Sequence, residues 1–249
     1  YGETTVNYNR DVEIFPVLNT IFEKIYGESP YKSPTDMGVN MAGNCICDDE
    51  ACREASRQEI IRRYYAALNS LLKGESSDKE AQKIELLMNM AGITVSDRKV
   101  VSKALERAKE TDGPAAALEL DNGRIITGKT TNLLGASAAL LLNVLKELAG
   151  LDHELHIISP ESIEPIQKLK VDYLKSKNPR LHTDEVLIAL SASAASSAQA
   201  RMALSQLPKL EGCQAHTSVM LSDVDIKIFK KLGVQLTCEA VYEHNHLYH

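Results

Sequence analysis

The chain has 249 residues, and its hydrophobic fraction of 44% is enough to bury a core without disulfide or metal cross-links. Its 28 basic and 34 acidic residues give a formal net charge of -6, and no run of Lys and Arg is dense enough to follow a phosphate backbone, so nucleic acid is not an expected partner. No apolar run approaches the roughly 20 residues of a membrane span, so no membrane partner is expected. The five cysteines, an odd number, suit a reducing compartment and predict a cytoplasmic protein.

The first part of the chain is predicted to be helical. Apolar residues recur at helical spacing from Ile14 to Ile25, and Pro16 is tolerated in a first turn. A segment rich in Pro and Gly, residues 28–44, is predicted to be an irregular connection. Helices are predicted over residues 7–27, 49–72 and 78–91, and from Ser96 to near Gly113. Residues 1–112 are therefore predicted to form a helical region.

A different pattern begins at Pro114. Two apolar runs, residues 115–120 and 124–127, flank Asp121-Asn122-Gly123, and Asn-Gly between such runs favours a tight β-hairpin. Strand and helix patterns then alternate. Helices are predicted over residues 133–149, 166–174, 183–207 and 222–232, and strands over residues 155–159, 215–221 and 234–240. This alternation predicts an α/β (α+β) domain over residues 113–249, with helices packed on a mixed sheet.

Five segments carry a family resemblance. They are NYNRDVEIFPVLN from Asn7, SPTDMGVNMAG from Ser33, QEIIRRYY from Gln58, NPRLHTDEVLIAL from Asn178, and the close of the chain from Tyr242. In these segments the chain resembles the bacterial uncharacterised protein family 0371, which is also domain-of-unknown-function family 1846. The resemblance implies that the chain is the C-terminal half of a longer protein whose N-terminal half carries a glycine-rich, phosphate-loop-like turn. It implies no activity.

A second resemblance concerns topology. Residues 116–143, a hairpin followed by a long apolar helix, look like the opening of a cytidine-deaminase-like fold. Deaminases of that fold bind zinc through a His or Cys and a Cys pair, beside a Glu that transfers protons. The corresponding helix here begins with Gly135, Ala136, Ser137 and Ala138, and no C-x-x-C follows it. The resemblance therefore implies cytidine-deaminase-like topology without the zinc motif.

The first candidate site follows Gly128 and consists of Lys129, Thr130 and Thr131, just before a predicted helix. The free N–H groups and the positive dipole end of a helix N-terminus hold anions, and Lys129 adds positive charge. The spacing lacks the first glycine of a phosphate loop, because Arg124 is four residues before Gly128. An anion site and a capped helix start with a solvated lysine both fit this pattern.

The second candidate site is the polar segment 178–184, which precedes another predicted helix with Thr183 as its N-cap. Arg180 can bind a phosphate or carboxylate through two hydrogen bonds, and His182 titrates near neutral pH. A surface turn with local hydrogen bonds is the alternative. His216, in a predicted strand, is either a hydrogen-bonded core residue or, at a strand end, a further site residue.

These candidates are predicted to come together. Polar residues after the first hairpin and in a later loop before a helix can meet at one edge of an open α/β sheet, where ligands commonly bind. We therefore predict that any ligand site lies near Lys129, Thr130, Arg180 and His182, with His216 as a further candidate.

Two other clusters are assigned no site. Cys45, Cys47 and Cys52 are the densest set of potential metal ligands, but tetrahedral zinc usually takes two separated ligand pairs, so free thiols are the preferred interpretation and no metal is predicted. Three histidines near the end are interpreted as a polar tail: His244, His246 and His249.

Two functions remain open. The first is part of an enzyme that acts on a phosphorylated or nucleotide-like small molecule, at a site shared with the N-terminal half; its cofactor is unassigned. The alternative is a non-catalytic module for oligomerisation or assembly. The expected partners are that N-terminal half, further copies of the chain, and an anionic small molecule.

Overall fold

The computed structural model describes residues 9–31 and 49–243. The chain divides into two compact units, Tyr1–Arg98 and Lys99–His249. We refer to them as the helical unit and the sheet unit. None of the described helices is long and apolar enough to cross a membrane.

The helical unit confirms the helices predicted at the start of the chain. Its helices are α1 (Asn9–Tyr26), α2 (Asp49–Leu72) and α3 (Asp78–Ala91), followed by a 3-10 turn at Val95–Asp97. The buried residues of α2 include Ile60, Ile61 and Tyr65, and those of α3 include Leu87 and Met88. Most of the predicted irregular connection, together with the predicted thiol cluster at Cys45 and Cys47, lies outside the described residues.

The sheet unit is mixed α/β, as predicted. Its first half contains α4 (Lys99–Thr111), β1 (Ala115–Glu119), β2 (Ile125–Lys129), α5 (Ala136–Leu148), α6 (Pro160–Lys168) and a π-helical turn (Leu169–Tyr173). Its second half contains α7 (Thr183–Ser193), α8 (Ala198–Leu204), a 3-10 turn (Leu207–Leu210), β3 (Gln214–Thr217), α9 (Asp223–Lys231) and β4 (Gln235–Cys238).

The four described strands form one sheet in the order β2-β1-β3-β4. Strand β1 is antiparallel to both β2 and β3, whereas β3 is parallel to β4. The predicted hairpin is confirmed, with Leu118 opposite Ile126. Its turn depends on Gly123, which has a φ of 78° and donates its N–H to Leu120 O at 2.8 Å. Glycine adopts this left-handed conformation without the steric cost that other residues carry.

Helices cover both faces of the sheet. Helix α5 buries Leu140, Leu141 and Leu145 in a core that includes Leu118 of β1, while Ala117, on the other face, packs with residues of α4. The close approach of α5 requires a glycine in β2, because a Cβ at Gly128 would lie 2.2 Å from Leu140 N. The sheet is therefore a buried central layer, and its functional groups have to lie at its ends.

Four predictions of secondary structure were wrong in position or type. The helix after β2 begins at Ala136 instead of residue 133, and β3 ends at Thr217 instead of residue 221. Residues 155–159 form no strand, although Ile157 and Ile158 are buried. The prediction was wrong because a loop that packs on the core can carry the same apolar run as a strand. The helix predicted over residues 166–174 begins earlier, at Pro160, and Pro165 lies within it. The predicted domain boundary between residues 112 and 113 stays a prediction; α4 packs against β1, β2 and β3.

Candidate functional site

A small pocket of about 110 Å³ lies where the parallel strands β3 and β4 end. It is formed by the residues that follow β2, β3 and β4, the first turn of α5, the loop before α7, and the start of α9. Open α/β sheets commonly bind ligands at the carboxyl ends of their parallel strands. Drug-sized ligands usually need pockets of about 300–1,000 Å³, so this pocket fits one small chemical group.

His182 is held in the pocket by a buried carboxylate. Its Nδ1 atom lies 2.9 Å from Asp225 Oδ2, and the two residues are 43 positions apart in the sequence. The other ring nitrogen, Nε2, lies 3.5 Å from Asn178 Nδ2, which also lines the pocket. The side chain of His182 retains 27% of its exposure, so the ring is accessible from the pocket although it is anchored. Asp225 therefore fixes the orientation of a titratable ring.

Asp225 is itself fully engaged with its neighbours. Its Oδ1 atom accepts hydrogen bonds from Thr183 N at 2.9 Å and Thr183 Oγ1 at 2.8 Å, and its Oδ2 atom accepts one from Ser222 Oγ at 2.8 Å. Burial alone would raise the pKa of Asp225, but the hydrogen bond and charge of His182, with the donors Thr183 and Ser222, lower it below its ordinary value. Asp225 is thus an ionised anchor.

The same contact affects the histidine. The hydrogen bond that the His182 ring donates to Asp225 raises the pKa of His182, and burial and the charge of Lys170 only partly oppose it. The protonated ring is therefore more populated near neutral pH than in an isolated histidine.

Arg180 brings a positive charge to the same pocket. Its Nη1 atom pairs with Glu243 Oε1, and Glu243 also lines the pocket. Its backbone is fixed on both sides, since Arg180 N donates to Asn178 Oδ1 at 3.1 Å and Lys170 Nζ donates to Arg180 O at 2.7 Å. Lys170 Nζ also contacts Glu185 Oε2 at 2.8 Å, so the loop before α7 is held in one conformation.

The first turn of α5 forms another wall. Gly135, at the N-cap, and Ala136 and Ser137 line the pocket, and Ser137 is only 3% exposed. The first N–H groups of a helix have no acceptor within the helix, and the dipole there favours anions. A buried hydroxyl beside these N–H groups adds a short-range donor.

The structure brings together three of the six predicted site residues. Thr130, Arg180 and His182 line the pocket. Lys129 is the exposed last residue of β2 and is not among the lining residues. Thr131 has a local structural role, because its Oγ1 atom accepts hydrogen bonds from Leu133 N and Leu134 N at 3.2 and 3.0 Å. The helix predicted from residue 133 begins at Ala136, so the helix N-terminus of the pocket lies five residues after Thr131.

His216 lies in the core. It is fully buried in β3, its Nδ1 atom lies 2.8 Å from Thr237 Oγ1, and its Nε2 atom lies 3.2 Å from Glu239 Oε1. This arrangement agrees with the core alternative for this residue. Thr183, which we predicted to be the N-cap of α7, is the first residue of that helix, and His182 occupies the N-cap.

The sequence reasoning missed Asp225, Ser137 and Glu243. Asp225 had one visible signal, because it follows the N-cap Ser222 by three residues, as in a capping box. That pattern indicates a helix start but gives no sign of a histidine 43 residues away.

The remaining cysteine and histidine clusters do not line this pocket or lie outside the described residues. Residues 244–249, which include the predicted polar tail, lie outside the described residues, as does the side chain of Cys52. Within residues 9–31 and 49–243 no three His, Cys, Asp or Glu residues are grouped as metal ligands would be. Cys213 and Cys238 are buried and form no disulfide with another described residue, and burial raises the pKa of Cys213 to about 11, so its reactive thiolate is scarce near neutral pH.

Two family descriptions match the chain. The N-terminal part of "domain of unknown function DUF1846" matches residues 1–92, and its C-terminal part matches residues 96–248. The chain is 58% identical over 248 residues to a UPF0371 protein of Corynebacterium efficiens and 57% identical over 248 residues to one of Corynebacterium urealyticum. A UPF0371 protein of Streptococcus thermophilus is 52% identical over 248 residues.

Each of these matches covers 100% of the chain and 50% of the relative. The chain thus spans about half the length of the curated relatives it matches. The predicted assignment to a C-terminal half alone is wrong, because the N-terminal family description also matches residues 1–92.

Proposed function

We propose that this chain, which belongs to the DUF1846 family, contains the acid–base site of an enzyme that binds its substrate through an anionic group. The observation that carries the proposal is the His182–Asp225 contact of 2.9 Å in a pocket that Arg180 also lines. A positioned proton donor or acceptor and a cation within one pocket are the usual components of such a site.

The acid–base role follows from how the ring is held. When His182 is neutral, a hydrogen on Nδ1 directed to Asp225 leaves the lone pair on Nε2, which can take a proton from a ligand. When the ring is protonated, Nε2 can donate that proton instead. The contact with Asp225 raises the pKa of His182, which favours the protonated ring and so its role as a proton donor near neutral pH.

The anion-binding role rests on two donors. Arg180 offers a guanidinium that can form two parallel hydrogen bonds to a carboxylate or phosphate. The first turn of α5, with the buried Ser137, offers helix N-terminal N–H groups and a hydroxyl. A pocket of about 110 Å³ holds one phosphate or carboxylate group, so the remainder of a phosphorylated or nucleotide-like substrate would extend outside it.

Three finer points accompany this proposal. The order β2-β1-β3-β4, with the hairpin at one edge and α5 after it, supports a cytidine-deaminase-like topology, whereas Ala136 and Ser137 supply no zinc ligand on that helix. A cytoplasmic location is supported by Cys213 and Cys238, which form no disulfide with another described residue. The relatives' greater length supports a site shared with a further part of a longer protein.

The alternative, a module for oligomerisation or assembly, is supported by the helical unit. Helix α1 exposes Ile14, Val17, Ile21 and Ile25, with 64% of Ile25 accessible. These residues follow helical spacing along one side of the helix, and apolar side chains of this kind are often covered by a partner. Further copies of the chain, or the rest of a longer protein, are the proposed partners.

Anion titration separates the two functions. We expect inorganic phosphate, measured by calorimetry at constant ionic strength, to bind the unmodified chain and to bind the Arg180→Ala variant at least about tenfold more weakly. Arg124→Ala is the matched control, because Arg124 Nη1 also pairs with a glutamate, Glu147, but does not line the pocket. Equal phosphate affinity in all three proteins would contradict the proposed site and favour the assembly function.

A further inference from the structure

Glu243 is the one acidic residue whose carboxylate pairs with Arg180 among the residues that the structure describes. Their side chains are 26% and 27% exposed, so the pair lies at the boundary of the pocket and not in the core. Glu243 follows β4 by five residues and lies in a segment without regular secondary structure. The pocket's guanidinium is thus neutralised by a carboxylate from an irregular segment, while the backbone of Arg180 is fixed.

We propose that the carboxylate of Glu243 occupies the position at which the anionic group of the ligand binds Arg180. Glu243 is then an internal competitor that the ligand displaces. This inference rests on the proposed function and names its ligand class more closely. The ligand carries a carboxylate or a phosphate of similar reach, because that is the chemistry which Arg180 already accepts at this position.

The charges of the pocket favour replacement of the Glu243 carboxylate by the ligand's anionic group over simultaneous binding of both beside Arg180. Among the described residues that line the pocket, Arg180 is the only permanently charged cation, and Asp225 is hydrogen-bonded to His182, Thr183 and Ser222. An anion that entered beside an undisplaced Glu243 would place two negative groups around one guanidinium, which is unfavourable at close range. An anion that replaces Glu243 restores the same pairing and gains the N–H groups at the start of α5.

The two sides of the ion pair differ in how easily they can move. Arg180 is anchored through its backbone to Asn178 and Lys170. Glu243 lies in the irregular segment after β4, two residues beyond Val241, whose O atom accepts a hydrogen bond from Met220 N at 2.8 Å, and Tyr242 beside it also lines the pocket. Displacement is therefore expected to move the segment that follows β4 and to leave the loop before α7 in place.

Removing the charge of Glu243 tests the inference. In the Glu243→Gln variant we expect phosphate and acetate each to bind about fivefold more tightly than in the unmodified chain, since a partly exposed ion pair contributes about that factor. The factor should be the same for both anions, because displacing one internal competitor costs the same for any ligand. Glu147→Gln, which removes the partner of Arg124, is the matched control and should leave both affinities unchanged.

Three outcomes would overturn the inference. These are unchanged affinity in Glu243→Gln, weaker binding, and a gain for phosphate alone, which would indicate repulsion without displacement. Thermal unfolding of Glu243→Gln and of a second variant, Glu243→Ala, would show that any change is not caused by misfolding, and both variants should bind phosphate more tightly.

The proposed function and this inference can fail separately. If phosphate binds the unmodified chain and Arg180→Ala abolishes that binding, the anion site stands and only the role of Glu243 is in question. If neither the unmodified chain nor Glu243→Gln binds phosphate or acetate, both proposals fall together. A double variant, Arg180→Ala with Glu243→Gln, should lose the gain that Glu243→Gln produces alone.

Discussion

His182 and His216 are each held at Nδ1 by an oxygen atom of a neighbouring element, yet their surroundings differ. His182 contacts an ionised carboxylate at the end of the sheet and keeps 27% of its side chain exposed. His216 contacts the hydroxyl of Thr237 within the sheet and is fully buried. A similar hydrogen bond at Nδ1 thus serves two purposes, and the exposure of the ring decides between them, since Nε2 of the buried His216 is also engaged, 3.2 Å from Glu239 Oε1.

The largest effect should distinguish the core histidine from the site histidine. We expect His216→Ala to lower the free energy of unfolding by about 3 kcal/mol, because it leaves a cavity and removes one hydrogen-bond partner of the buried Thr237 hydroxyl. Phosphate affinity should stay unchanged. Urea denaturation and phosphate titration measure the two properties.

His182→Ala is the matched variant for that experiment. Loss of this half-buried ring should lower the free energy of unfolding by about 2 kcal/mol, less than His216→Ala, while any proton transfer at the site is lost. If His216→Ala abolished phosphate binding in a folded protein, the division between core and site would be wrong.

The second prediction concerns the charge of the anchor. Asp225→Asn keeps the shape of a residue that is 3% exposed but replaces an ionised acceptor of hydrogen bonds from Thr183 and Ser222. We expect a loss of about 2 kcal/mol in unfolding free energy at neutral pH. We also expect the NMR titration of His182 to move to lower pH, because its principal hydrogen-bond partner loses its charge.

Asp223→Asn provides the control for this prediction. Asp223 is an exposed residue in the first turn of the same helix, so the variant tests whether any carboxylate there would have the same effect. It should leave the His182 titration in place. An unmoved titration in Asp225→Asn would show that Asp225 does not set the protonation of the ring.

The third prediction is the pH dependence of the pair. Folding raises the pKa of His182 from 6.5. The stabilisation of the folded state by protonated His182 is therefore complete below pH 6.5 and is lost as the pH rises through the pKa of the folded protein. Folding lowers the pKa of Asp225 from 3.8, so its stabilisation is present above that pH and is lost as the pH falls through the folded value. The pair therefore contributes fully between these two pH values.

Comparison with His182→Gln isolates this contribution. The unmodified chain should exceed the variant by about 1–2 kcal/mol in unfolding free energy between pH 4 and 6, as for a hydrogen bond to a charged group. The difference should shrink above pH 6.5. A difference that stays constant from pH 5 to 9 would contradict a charged pair.

Local chemistry explains which features were predictable. The turn at Asn122-Gly123 and the start of the helix predicted from residue 222 depend on residues within three or four positions of one another, and the sequence predicts both. The pocket depends on packing instead. His182 and Asp225 are in contact only because α7 and α9 lie side by side. No local sequence pattern near either residue indicates that contact.

Ambiguous patterns account for the predictions that failed. The apolar residues 155–159 pack on the core without joining the sheet, and an apolar run has the same appearance in either case. Lys129 follows the glycine at residue 128, which suggested a phosphate-binding turn. In the structure that glycine is required by the close packing of β2 on α5, so its signal was structural.

The smallest expected effect belongs to Lys129 and tests this explanation directly. Its side chain is exposed at the end of β2 and is not part of the pocket, in contrast to Thr130 next to it. We therefore expect Lys129→Ala to change the unfolding free energy by less than about 0.5 kcal/mol. Phosphate affinity should change by less than about twofold at physiological ionic strength, because a solvated charge outside the site is screened.

Measuring phosphate affinity at both low and physiological salt completes the test of Lys129. A small loss confined to low salt would reflect long-range attraction by an exposed lysine. A loss at physiological salt as large as that of Arg180→Ala would instead return Lys129 to the anion site and require the end of β2 to move toward the pocket when the ligand binds.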